Sequence, residues 1–150
     1  MDFLVDDFMG AEASPRTKGV AVPGLSDFFG AADGPDDRPE WVVRGLAGNE
    51  LAKVNAAAAR QKNIGSVLEA LEAGTHSEKV AELRRSMGLA DDIEQETAKR
   101  LEMLVAGSVK PVCSLELAVK LAETRPVEFI ALTNAVTELT GLGAVLKKKS

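Results

Sequence analysis

A mainly α fold is predicted: a small bundle of about five helices, with a short N-terminal β portion and a flexible acidic arm. Three observations predict it. Apolar residues recur at helical spacing through most of the chain beyond residue 49. The hydrophobic complement is Leu, Val and Ala, with aromatics at only 4% and no Tyr, the usual filling of packed helices. The acidity is confined to the first forty residues, where nine Asp/Glu face three Lys/Arg for a net of −6, while the other 110 hold fifteen Lys/Arg against fourteen Asp/Glu. A chain of 150 residues suits one domain with a core and a tail. The expected boundaries are an arm over 1–39, a strand plus helical domain over 40–146, and a basic tip over 147–150.

The arm sets two short apolar clusters, Phe3-Leu4-Val5 with Phe8-Met9 and Leu25 with Phe28-Phe29, among Gly, Pro, Ala and Asp. Such a composition buries too little to fold alone. Its apolar pieces dock on their own domain or order on a partner. On the second reading Leu25, Phe28, Phe29 and Trp41 are the candidate partner-binding residues. The run from Glu40 to Leu46 is the best strand candidate, β-branched and aromatic between Pro39 and Gly48. One strand makes no sheet, so it must pair with another chain or with the arm, where 19–22 is the candidate.

Asn49 is the expected cap of a first long helix over about 50–73, whose face carries Leu51, Val54, Ala58, Ile64, Val67, Leu68 and Leu71. Its alanine-rich middle permits a close helix crossing, and Gly65 is a candidate kink. Thr75 with Glu78 forms a capping box for a short helix over 76–87, stopped by Gly88. A third helix over 92–106, capped by Asp91 or Asp92, has Ile93, Leu101, Leu104 and Val105 on its apolar side. After a turn over 107–111, Ser114 caps a fourth helix over 115–124. Arg125-Pro126 breaks it, since the residue before proline avoids the helical region. Pro126 opens the fifth helix, where Phe129, Leu132, Val136 and Leu139 recur at i, i+3, i+7 and i+10 and Ile130 widens the stripe. Gly141 and Gly143 end it.

The chemistry of the chain points away from an enzyme. Cys113 is the single cysteine and His76 the single histidine, so the one thiol has one candidate base, on a Gly-Thr-His-Ser loop. There is no glycine-rich phosphate loop, and no His or Cys at metal-ligand spacing. Asp91, Asp92, Glu94 and Glu96 suit a helix N-terminus better than a calcium loop. No catalytic residue, cofactor or metal is expected. A net charge of −5 argues against nucleic acid as partner. With no apolar run near the ~18 residues of a membrane span and an acidic N-terminus, neither a membrane segment nor a signal peptide is expected.

Three segments then act together: Trp41-Val42-Val43-Arg44-Gly45-Leu46-Ala47-Gly48-Asn49-Glu50-Leu51-Ala52, Val105-Ala106-Gly107-Ser108-Val109, and the stretch from Pro126 to Gly141. Jointly they resemble the tail assembly chaperones of long-tailed bacteriophages, over residues 39–143. The resemblance implies a non-catalytic protein of the infected host cytoplasm that coats the tape measure protein, helps recruit tail tube protein, and is absent from the finished virion. Homo-oligomerisation stays open. In that family a −1 ribosomal frameshift near the end of the gene commonly gives a longer product; Lys147-Lys148-Lys149-Ser150 is compatible with an A-rich slippery sequence, and equally with a solvated basic tip. The alternative reading is a structural minor tail or head-to-tail connector protein of the virion.

Overall fold

The structure, a computed structural model, describes residues 1–30, 34, 37–72 and 95–149. In chain order its elements are α1 (Val5–Met9), β1 (Glu12–Ser14), β2 (Thr17–Ala21), a 3-10 helix (Pro23–Phe28) and β3 (Glu40–Arg44). There follow α2 (Gly48–Glu72), α3 (Gln95–Gly107), β4 (Ser108–Lys110), α4 (Leu115–Thr124), α5 (Pro126–Leu142) and β5 (Val145–Lys147). The described part is mainly α, as the residue pattern predicts. The helix expected over 76–87, with its capping box, and the caps at Asp91 and Asp92 lie outside the described residues.

Helix α5 is the centre of the packing. Phe129, Leu132, Val136 and Leu139 are all buried, so the predicted stripe faces inward. Ile130 does not extend it and stays exposed; Ala135 and Thr133 complete the buried face instead. Thr133 is admitted because its hydroxyl donates to the Phe129 carbonyl at 3.0 Å and accepts from Arg100 Nη1 at 2.7 Å, so its own polar atom is paired. Around the stripe stand α3 with Ala98, Leu101 and Leu104, α4 with Ala118 and Leu121, and β3 with Trp41 and Val43. Helix α2 packs chiefly on α3 through Val54 and Ala58, from its alanine-rich stretch, and continues unbroken through Gly65.

The strand expected from Glu40 is present, with Trp41 and Val43 buried and Val42 and Arg44 half-buried, the period-2 alternation of a strand with one face inward. Its partner is β2, which runs antiparallel from Thr17 opposite Arg44 to Ala21 opposite Glu40. The pairing anticipated for 19–22 is thus the larger part of this ladder. Val22, just past β2, is fully buried and its amide reaches the Pro39 carbonyl at 3.2 Å. Residues 17–22 therefore belong to the folded body, inside the segment expected to be an arm.

The turn expected over 107–111 contains a strand. β4 pairs with the other edge of β3, making the order β2-β3-β4, with a register jump that leaves Val109 unopposed between Lys110 and Ser108. A half-buried central strand leaves a row of unpaired backbone groups unless a second neighbour takes them, and three residues suffice. Ser108 fixes the junction, accepting from Trp41 Nε1 at 3.0 Å and donating to the Leu104 carbonyl at 2.6 Å. The C-terminal residues are likewise ordered as β5, paired antiparallel with β1 in a separate two-stranded ribbon.

Helix α5 ends at Gly143, whose φ of 77° and ψ of 175° occupy a region essentially open to glycine alone. Gly141, also expected to end the helix, lies within it. Gly45 serves a different need: a Cβ there would sit 2.9 Å from the Leu139 backbone carbon and oxygen and 3.1 Å from the Thr140 amide nitrogen. Gly45→Ala is expected to lower stability by about 1–3 kcal/mol in urea unfolding, the usual cost of overpacking. Gly48→Ala, whose added Cβ meets nothing within 4 Å, is the matched control and stays within about 0.5 kcal/mol of the parent.

Candidate functional site

Two surface concavities are formed by the described residues at the ends of the sheet. The larger is a groove of about 730 Å³ between the 3-10 helix, the Glu40 end of β3, the Lys110 end of β4 and one face of α4. Pro23 starts the 3-10 helix where its missing amide hydrogen costs nothing, and the helix turns Leu25 inward against the core. Phe28 and Phe29 are left at the rim, 84% and 36% exposed. Trp41 and Leu121 form the floor, both 4% exposed, with Leu117 beside them. The four residues singled out from the sequence, Leu25, Phe28, Phe29 and Trp41, therefore line one groove. Their parts differ: the two phenylalanines are accessible anchors, while Trp41 is held by Ser108 and offers only an edge.

Sequence reasoning missed the other wall. Lys110, Pro111, Leu117, Lys120, Leu121, Thr124 and Arg125 come from β4 and α4 and complete the groove. The signal available was the amphipathicity of α4, with Leu117 and Lys120 close together on the helix. Ala118 is fully buried, whereas Leu117 is only half-buried and faces the groove.

The smaller concavity, about 500 Å³, lies where the β1–β2 turn, the β3–α2 loop and the end of α5 meet. Four of its polar side chains, Arg16, Arg44, Glu50 and Thr140, are already engaged. Arg16 Nε donates to the Gly143 carbonyl at 3.0 Å, and the Leu46 amide donates to Thr140 Oγ1 at 2.9 Å. Arg44 holds Glu50 in a two-pronged pair, Nη1 to Oε1 at 2.8 Å and Nη2 to Oε2. Glu50 also accepts the Ala47 amide at 3.0 Å, capping α2 from its first turn in place of the expected Asn49, because the helix begins at Gly48. The Arg44 hydrogen bond, with the Ala47 amide and the Arg44 charge adding to it against a desolvation cost, lowers the Glu50 pKa to about 2.

Neither concavity has a His or Cys among its described lining residues. Cys113 is buried, its thiol pKa raised by desolvation and directed to the Ser114 carbonyl. Among the described residues no group of three or more His, Cys, Asp or Glu comes together as a metal ion would require, and no helix is long and apolar enough to cross a membrane. Comparison of the chain with protein-family models, curated proteins and solved structures finds no match.

The depressed Glu50 pKa fixes a pH signature. A carboxylate whose folded pKa lies below its unfolded value contributes stability above about pH 4.5, lost as the pH falls towards 2. Glu50→Gln should therefore cost about 1–2 kcal/mol at pH 7, reduced from the full shift because the pair is partly solvated. In urea unfolding between about pH 5 and 2.5 the parent loses that increment and the variant does not.

Proposed function

We propose that the chain is a non-catalytic binding protein of the tail assembly chaperone kind, holding a segment of the tape measure protein in the groove beneath Phe28 and Phe29. In this reading it shields a long helical client in the cytoplasm of the infected cell, helps bring tail tube subunits to it, and leaves before the virion is complete. The observation that carries the reading is the convergence of Leu25, Phe28, Phe29 and Trp41 on a single apolar groove, with the aromatic rim left open. Pockets of this size and character suit a few anchoring side chains of a helix or extended segment.

Two further features support it. The segments that carry the family resemblance pack on one another: a Cβ on Gly107 would lie 2.9 Å from Val136 and 3.2 Å from the Arg44 carbonyl, and Gly45 abuts Leu139. Their joint pattern therefore has a common physical reason in one close-packed junction. The charged groups of the second concavity are engaged, Arg16 on the Gly143 carbonyl and Arg44 and Glu50 on each other, which favours binding over chemistry. A chaperone that must later be displaced needs modest affinity, and one groove of this kind supplies it. The α5 stripe takes no part, because its own chain covers it.

Phe28→Asp combined with Phe29→Asp should leave the helical circular dichroism unchanged, both side chains being at the rim, and weaken pull-down of co-expressed tape measure protein about tenfold or more. Unaltered pull-down would remove the groove from the client site. Co-expression of the unmodified chain is expected to turn the tape measure protein from insoluble to soluble. Stoichiometric recovery of the chain in purified virions would instead favour a structural tail or connector protein.

A further inference from the structure

Among the described residues the groove has a charge opposite to that of its protein. The chain carries a net −5, yet Lys110, Lys120 and Arg125 are among the described lining residues against one lining carboxylate, Glu40, with Glu128 near Arg125 beside Gly24. None of the three cations has an ion-pair partner among the described residues. They come from two consecutive elements, Lys110 from the end of β4 and Lys120 and Arg125 from α4 and its C-cap. The negative end of the α4 dipole accounts for Arg125. It does not account for Lys110 on a strand, nor for Lys120 more than a turn back. Like charges held around an apolar floor repel one another when the groove is empty, and that repulsion is relieved by an occupant of opposite sign.

We infer that the groove selects a short apolar segment bracketed by Asp or Glu, the apolar side chains seating against Leu25, Trp41, Leu117 and Leu121 and the carboxylates meeting Lys110, Lys120 and Arg125. This rests on the reading that the groove holds the client, and adds which of the client's segments it takes. The apolar floor supplies attraction without regard to sequence. The cationic rim supplies discrimination, because a segment with basic flanks must bring like charges together. Exposed pairs of this kind act chiefly on encounter rate and selectivity, so the preference falls as salt screens it.

The test uses the full chain and three synthetic amphipathic helices that share one Leu/Phe face and differ only in flanking Glu, Gln or Lys, followed by fluorescence anisotropy. The Glu-flanked peptide is expected to bind about tenfold tighter than the Lys-flanked one at roughly 50 mM salt, and the difference to shrink to about twofold near 0.5 M. Lys110→Glu with Lys120→Glu, both exposed and therefore safe for folding, should reverse the order. Phe28→Asp with Phe29→Asp should weaken all three. Equal binding of the three peptides, or a Glu preference that survives Lys110→Glu with Lys120→Glu, overturns the inferred selection while leaving the groove as client site. Binding of none overturns both. If sedimentation shows that the groove variants turn a self-associated chain into monomer, a second copy is the occupant and the inference falls.

Discussion

Between the end of β3 and the backbone of α5 there is no room for a side chain. Gly45 lies against the Leu139 carbonyl, the next residue's amide is taken by Thr140 Oγ1, and Gly107 is pressed between Val136 and the Arg44 carbonyl. This three-way contact of strand, α3 terminus and central helix fixes the rest. With β3 held so closely, Trp41 and Val43 reach the core from one side while α3 and α4 reach it from the other. Arg44, emerging from the same corner, is positioned to grip Glu50 and so to set where α2 begins. Backbone against backbone leaves the sheet no freedom to slide on the helix.

Closing the α5 stripe inside the monomer has a consequence for recognition. The most apolar surface that the chain encodes is consumed by folding, and what is left for a partner is made from leftovers of several elements: the outer side of α4, the edge of β3 and β4, and two phenylalanines on a 3-10 turn. Such a composite surface can be altered at Phe28 or Lys120 without touching the packing at Leu132. The rim of the groove is thus separable from the core, while its floor, Trp41 and Leu121, is part of the core.

Much of this was legible from residue pattern. The bounds of α4 and α5, the Ser114 cap, whose hydroxyl accepts the Leu117 amide at 3.1 Å, and the strand at Glu40 all follow from local signals of proline, capping residues and periodicity. So did the need of that strand for a partner near Val20. What stayed hidden was non-local. β4 is three residues long and reads as a turn, since only the unpaired edge of β3 makes it a strand. β5 leads into a lysine run that suggests fraying, and its order comes from pairing with Glu12, Ala13 and Ser14 at the far end of the sequence. For the groove, the four apolar residues were visible as sequence oddities, but the lysines and arginine opposite them were ordinary surface charges until the fold brought them together.

The ribbon of β1 and β5 pairs Glu12 with Lys147 and Ser14 with Val145, so both chain ends leave from the same rung. Tension applied between those ends would part the rungs singly from Glu12 inward, as a zipper opens, instead of loading all of them in shear. A ribbon loaded in this way gives way at lower force than one loaded in shear.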